Sequence, residues 1–173
     1  MADCRPGRGL SRRADAAGAS LVTDWLFIGG ADAVQDDSLQ RHDILRVLSC
    51  CERVPLPSWT TNHVAKMQDS GEERLEPFLE ESIRFLREAK DKQEKCLVLC
   101  YAGSSRSVTM VLAFLVLEEG IQLQHAWALV KRQRSMAQPS RNFARQLIEL
   151  DRAAHGSTSV TLSHLGFDDA QIY

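Results

Sequence analysis

Hydrophobic and polar positions follow two periods along the chain, and the change from one to the other marks its elements. Short apolar runs ending in glycine or small residues stand at WLFIGG (25–30), ILRVLSC (44–50) and CLVLC (96–100), with HVAKM (63–67) as a further candidate after the loop material PLPSWTTN (55–62). Each reads as a strand. CLVLC offers water no charged or amide side chain, which suits a strand buried on both faces, where parallel strands lie. The period then lengthens. From Glu73 to about Lys90 the residues Leu75, Phe78, Leu79, Ile83 and Leu86 recur at three- and four-residue spacing with charges between, the stripe of an amphipathic helix. DDSLQRHD (36–43) predicts a short helix, and residues 123–134 and 141–154 predict two more, split by AQPS. Residues 106–119 are apolar nearly all round, so this helix belongs at the centre, with Gly120 as its stop.

Strands alternating with helices predict an α/β fold: one domain over residues 21–154, with a central, mostly parallel sheet flanked by helices. A disordered basic arm (1–20) precedes it, and a tail (155–173) follows, for which a mobile segment and a docking strand both stay open.

Composition narrows the function. At 173 residues, 44% hydrophobic and 25% charged, the chain suits one globular domain. A net charge of −2 gives no overall field for nucleic acid or an anionic membrane surface, so any affinity for phosphate must be local. Arg5, Arg8, Arg12 and Arg13 suggest a presequence, but Asp3, Asp15, Pro6 and three glycines spoil an amphipathic helix there. No secretory segment is legible, so the expected location is cytoplasmic, with the nucleus also open. Five cysteines without a CxxC pair then read as free thiols, and five scattered histidines give no metal site. No metal or organic cofactor is called for.

Residues 98–107, VLCYAGSSRS, carry the chemistry. A strand that runs into a glycine-bearing loop and opens a helix is a phosphate-binding geometry, because loop N–H groups converge where the helix N-terminus adds partial positive charge. The loop positions Tyr101, Ala102, Gly103, Ser104 and Ser105 line this cradle, and Arg106 forks two N–H donors onto phosphate oxygens. The same donors favour an ionised sulfur on Cys100, which makes it the candidate nucleophile. Ser107 offers a hydroxyl to the departing sulfur. The leaving oxygen needs a proton, and Asp69, in the polar loop KMQDSGEERL (66–75), is the candidate acid and later the base for water, with Glu72 and Glu73 close by.

The pattern Cys-x5-Arg-Ser on a strand-loop-helix, with an Asp about thirty residues upstream, resembles the dual-specificity branch of the cysteine-dependent protein phosphatases. WLFIGGADAV looks like the family's opening strand and turn, HDILRVLSC like its second strand and NFARQL like its final helix; Cys100, Gly103, Arg106 and Ser107 match its loop motif. The resemblance implies a small, atypical member that hydrolyses phosphotyrosine and phosphoserine/threonine in proteins through a cysteinyl-phosphate. Its partner would be a phosphoprotein, and a monomer is favoured. The loop has no extra lysine or arginine of the kind an inositide or an RNA end would favour. One position departs: the family has histidine before the nucleophile, and here Leu99 stands there, unable to make that histidine's hydrogen bonds. Leu99 therefore implies a weakened enzyme, and it keeps open the alternative of a module that binds phosphoproteins with little turnover. Rhodanese-like sulfur transfer is disfavoured, since Asp69 and Ser107 would have no role in it. Lys131, Arg132 and Arg134 form a basic cluster that either meets acidic flanks of a phosphosite or is simply a solvated face. Cys96, Cys50 and Cys51 are candidates to shield Cys100 as a disulfide, against the alternative of inert buried thiols.

Overall fold

Five strands and five helices build the fold in this computed structural model, which describes residues 18–158 and 160–168. The first seventeen residues of the expected arm, residue 159 and the tail beyond residue 168 lie outside the described residues. The strands are β1 (Ser20–Leu21), β2 (Leu26–Gly29), β3 (Ile44–Ser49), β4 (Thr61–Val64) and β5 (Lys95–Leu99). The helices are α1 (Asp36–Arg41), α2 (Glu76–Asp91), α3 (Arg106–Leu117), α4 (Leu123–Gln133) and α5 (Arg141–His155), with 3-10 turns at Ala31–Val34 and Ser163–Leu165.

The sheet order is β1-β2-β5-β3-β4, parallel except where β1 runs against β2. β5 lies at its centre. Its residues Cys96 to Leu99 are fully buried, as an unbroken apolar run on a central parallel strand requires. Gly29 of β2 and Ser49 of β3 both stand level with Leu99, so three strand ends converge just below Cys100. Ligands of open parallel sheets collect at such carboxyl ends.

α3 packs on β2 and β5, and α4 and α5 close over it. Every residue from Ser107 to Val116 is buried, which is why no polar face could be read in this helix. It ends two residues before the glutamate pair does: Gly120 adopts φ +63°, and the Ile121 N–H returns to the Leu115 carbonyl at 3.0 Å. On α5 the buried stripe Phe143, Ala144, Leu147 and Asp151 fits the predicted amphipathic face, and Asp151 accepts the Leu123 N–H at 2.8 Å to cap α4.

One strand lies differently from the sequence reading and one was not read there. β4 spans Thr61–Val64, not 63–67, because Ala65 and Met67, though buried, turn beneath the next loop and leave the ladder after the Ala65 N–H meets the Ser49 carbonyl. β1 is too short to show alternation. The described part of the tail packs as a loop with a 3-10 turn: Leu165 is buried, the Trp127 indole donates to the His164 carbonyl and Gln138 Nε2 donates to the Leu165 carbonyl.

Candidate active site

The loop between β5 and α3 is held by its carbonyls. The Ala31 N–H takes the Tyr101 carbonyl at 2.9 Å, Arg134 Nε the Gly103 carbonyl at 2.6 Å, and the Gln138 N–H the Ser104 carbonyl at 2.8 Å. The Ser105 carbonyl accepts both the N–H and the hydroxyl of Thr109. A peptide group is planar and trans, so a pinned carbonyl points the next N–H the opposite way within the same plane. The N–H groups of Ala102, Ser104, Ser105 and Arg106 are thereby turned away from the scaffold, and none of them takes a partner among the described residues. Gly103 has φ +68°, and a Cβ built there would sit 2.5 Å from the Gly29 carbonyl carbon. Only glycine satisfies both constraints.

Cys100 is 2% exposed and lies at the base of this loop. Its Sγ accepts the Gly103 N–H at 3.2 Å and stands 3.3 Å from Ser107 Oγ, which is fully buried in the first turn of α3. The Gly103 N–H is thus a donor aimed at sulfur, and the Ser107 hydroxyl stands within hydrogen-bond reach of it. Arg106 donates through Nη1 to the Met67 carbonyl at 3.2 Å. Its Nε is buried and meets no acceptor, a donor suited to an oxyanion.

That Met67 contact ties the loop carrying Asp69 to the phosphate-binding loop. Ser70, on the other side of Asp69, has its carbonyl held by Asn142 Nδ2 at 3.3 Å. The exposed Asp69 thus hangs between two anchored residues. Glu73, its neighbour in the sequence, is occupied otherwise: its carboxylate accepts the Gln68 N–H at 2.7 Å, while its carbonyl accepts from Asn142 and Gln146. Asn142 and Gln146, four residues apart on α5, hold the acid loop but were not singled out from the sequence; the signal available was the NFARQL stretch, with both amides on one helical face.

Two expectations are corrected. Arg134 is not on a solvated face: it is 7% exposed and bonds the Gly103 carbonyl, the Gly18 carbonyl and Ser20 Oγ. The apolar pattern of α4 placed it with the exposed Arg132, but α4 ends at Gln133 and the chain turns Arg134 inward. Cys96 cannot shield Cys100, because four residues along an extended strand span about 13 Å, far beyond a disulfide. Cys50 is the thiol beside it: it follows Ser49, which is level with Leu99, and its N–H donates to the Leu99 carbonyl at 2.7 Å. Burial pushes the Cys50 thiol well up, and the neighbouring Cys100 and Cys51 add to this against Arg106; burial pushes Cys96 up to about 12. Both stay protonated at neutral pH.

An open groove of about 660 Å³ starts at Ala31, beside the loop, and runs between Val34, Gln35, Arg53, Leu56 and Pro57. Tyr101, two-thirds exposed, stands where the loop meets this side.

Comparison with known proteins agrees with this geometry. The family model "Dual specificity phosphatase, catalytic domain" matches residues 26–153. The chain is 32% identical over 158 residues to Dual specificity protein phosphatase PHS1 of Arabidopsis thaliana, covering 87% of this chain and 17% of that protein. It is 35% identical over 134 residues to Dual specificity protein phosphatase 22-A of Danio rerio, covering 76% and 64%. The crystal structure of a mouse putative dual specificity phosphatase complexed with zinc tungstate superimposes with a TM-score of 0.77 at 26% identity, covering 90% of this chain and 97% of that one. The chain thus spans under two thirds of the length of both curated relatives.

Proposed function

Because the chain belongs to the dual specificity protein phosphatases, which are cysteine-dependent, we propose that it hydrolyses phosphotyrosine and phosphoserine/threonine in proteins through a cysteinyl-phosphate on Cys100. One observation carries this reading: Sγ of Cys100 accepts the Gly103 N–H and faces the Ser107 hydroxyl at the mouth of α3. The freed amides of Ala102, Ser104, Ser105 and Arg106, with the Arg106 guanidinium, hold the phosphate oxygens. Sulfur then attacks phosphorus in line, the ester P–O bond breaks, and Asp69 gives its proton to the leaving oxygen. In the second step Asp69 takes a proton from water, whose oxygen attacks phosphorus. The S–P bond breaks, inorganic phosphate forms, and Ser107 donates to the returning thiolate. The groove beside Tyr101 gives the flanking residues of a polypeptide somewhere to lie.

The test is turnover of phosphotyrosyl and phosphothreonyl peptides, with acid-quenched enzyme analysed by mass spectrometry for phosphate on Cys100. Release of phosphate with no modified Cys100 sinks the mechanism. Peptide binding without release instead supports a phosphoprotein-binding module, the alternative that Leu99 keeps open.

Asp69→Asn is expected to lower kcat roughly 100-fold on phenyl phosphate, a typical contribution of one positioned acid. On p-nitrophenyl phosphate, whose phenolate leaves unaided, the loss should be much smaller. An equal loss on both esters would leave Asp69 with no role in proton transfer.

Leu99 is fully buried in β5 and adds no side-chain donor beneath the loop. Leu99→His is expected to raise kcat about fivefold, the worth of one added hydrogen bond of about 1 kcal/mol. Steady-state kinetics on p-nitrophenyl phosphate measures it, and no gain would show that leucine is not what limits turnover.

A further inference from the structure

A buried arginine is costly when its acceptors are neutral, and Arg134 is such a residue. Its guanidinium meets two carbonyls and a hydroxyl, and no carboxylate reaches salt-bridge distance among the described residues. Burial pulls its pKa below the usual arginine value, with Asp32 and Cys100 opposing this by attraction. Lysine could hold one of the three acceptors with a point charge, but not the fork. The three acceptors come from Gly103 in the phosphate-binding loop and from Gly18 and Ser20 at the start of the described chain, so one side chain fastens the loop to β1.

What it fastens is specific. Pinning the Gly103 carbonyl sets the plane of the Gly103–Ser104 peptide and turns the Ser104 N–H toward the phosphate position. The N–H of the same Gly103 is the one on Sγ of Cys100. Arg134 also occupies the space a Gly103 side chain would take, with Nη2 2.5 Å from an ideal Cβ. One donor for phosphate, the Ser104 N–H, therefore hangs on this remote contact, made at the same residue whose own N–H meets the sulfur.

We propose that Arg134 is a positioning residue for phosphoryl transfer, orienting the Gly103–Ser104 peptide through the Gly103 carbonyl, and is not a reader of acidic substrate flanks. The inference rests on the phosphatase reading above, and its test separates the two. Arg134→Met and Arg134→Lys are compared with wild type on p-nitrophenyl phosphate, with exposed Arg132→Met as the control. The expected result is a kcat roughly 10- to 100-fold lower for Arg134→Met, the scale of a loop displaced by about 1 Å, partial recovery in Arg134→Lys, and no change in the control. In Arg134→Ala, added guanidinium ion should restore part of kcat. A flank-reading arginine would instead raise KM for acidic phosphopeptides alone.

A second arm needs no turnover. Inorganic phosphate is titrated calorimetrically into Cys100→Ser and into Cys100→Ser/Arg134→Met, and the dissociation constant should rise roughly 10-fold in the second, which has lost the alignment of one oxyanion donor. Inactive wild type with this rise intact would sink the phosphatase reading and keep the positioning role. Folded Arg134→Met or Arg134→Lys with wild-type kcat and unchanged phosphate affinity overturns the positioning role. So does a loss of activity that vanishes once rates are divided by the folded fraction from circular dichroism.

Discussion

Cys100→Ser is expected to reduce turnover of p-nitrophenyl phosphate roughly 10⁶-fold, the scale on which removal of a nucleophile falls when a site acts as a unit. A serine hydroxyl becomes a nucleophile only beside a base that takes its proton. The groups on Sγ are the Gly103 N–H, which donates, and the Ser107 hydroxyl, and neither is a base, so a serine at position 100 gains nothing to activate it. The cradle itself should survive. Its carbonyls are fixed by Ala31, Arg134, Gln138 and Thr109, none of which touches the sulfur. The variant should therefore still bind inorganic phosphate and phosphopeptides while releasing no product, which makes it a substrate trap. Residual turnover within about 100-fold of wild type would exclude Cys100 as the nucleophile, because loss of an auxiliary acid or donor costs that much.

Much of this site is legible because its parts are local in the chain. Cys100, Gly103, Arg106 and Ser107 fall within eight residues, and the strand-loop-helix around them follows from CLVLC before and an apolar helix after. Glycine at 103 reads as a loop residue, and the structure adds why: a left-handed φ with the Gly29 backbone pressed against the missing side chain. The parts that escaped are long-range. Arg134 reaches Gly18 across 116 positions, and Asn142 reaches Ser70 across 72. Nothing in the composition around either residue registers a partner so distant, and charge in a helix reads as solvated by default. Cys50 is one of three candidate thiols beside Cys100, and only the sheet order singles it out from Cys96, since strand neighbours follow from that order while same-strand spacing is all a sequence prints. β4 shifted because buried positions and ladder positions are different things: Ala65 and Met67 are buried without belonging to the strand.

Arg106→Lys carries the second largest expected loss, roughly 10³-fold or more in kcat/KM, the range an arginine contributes to phosphoryl transfer. Two functions are lost together. Nε of Arg106 is buried without an acceptor, and with the guanidinium fork goes bidentate contact to the phosphate, for which a lysine substitutes a single point charge. Nη1 meanwhile holds the Met67 carbonyl, so the same side chain sets the position of the loop that carries Asp69. The two contacts make a testable coupling. If Arg106 steadies the acid loop, Asp69→Asn should cost far less on phenyl phosphate in an Arg106→Lys background than its roughly 100-fold in wild type, because a displaced acid has little left to lose. A double-mutant cycle in kcat/KM reads the difference directly. Strict additivity would confine Arg106 to the phosphate and leave Asn142 and Gln146 to hold the acid loop from α5 alone.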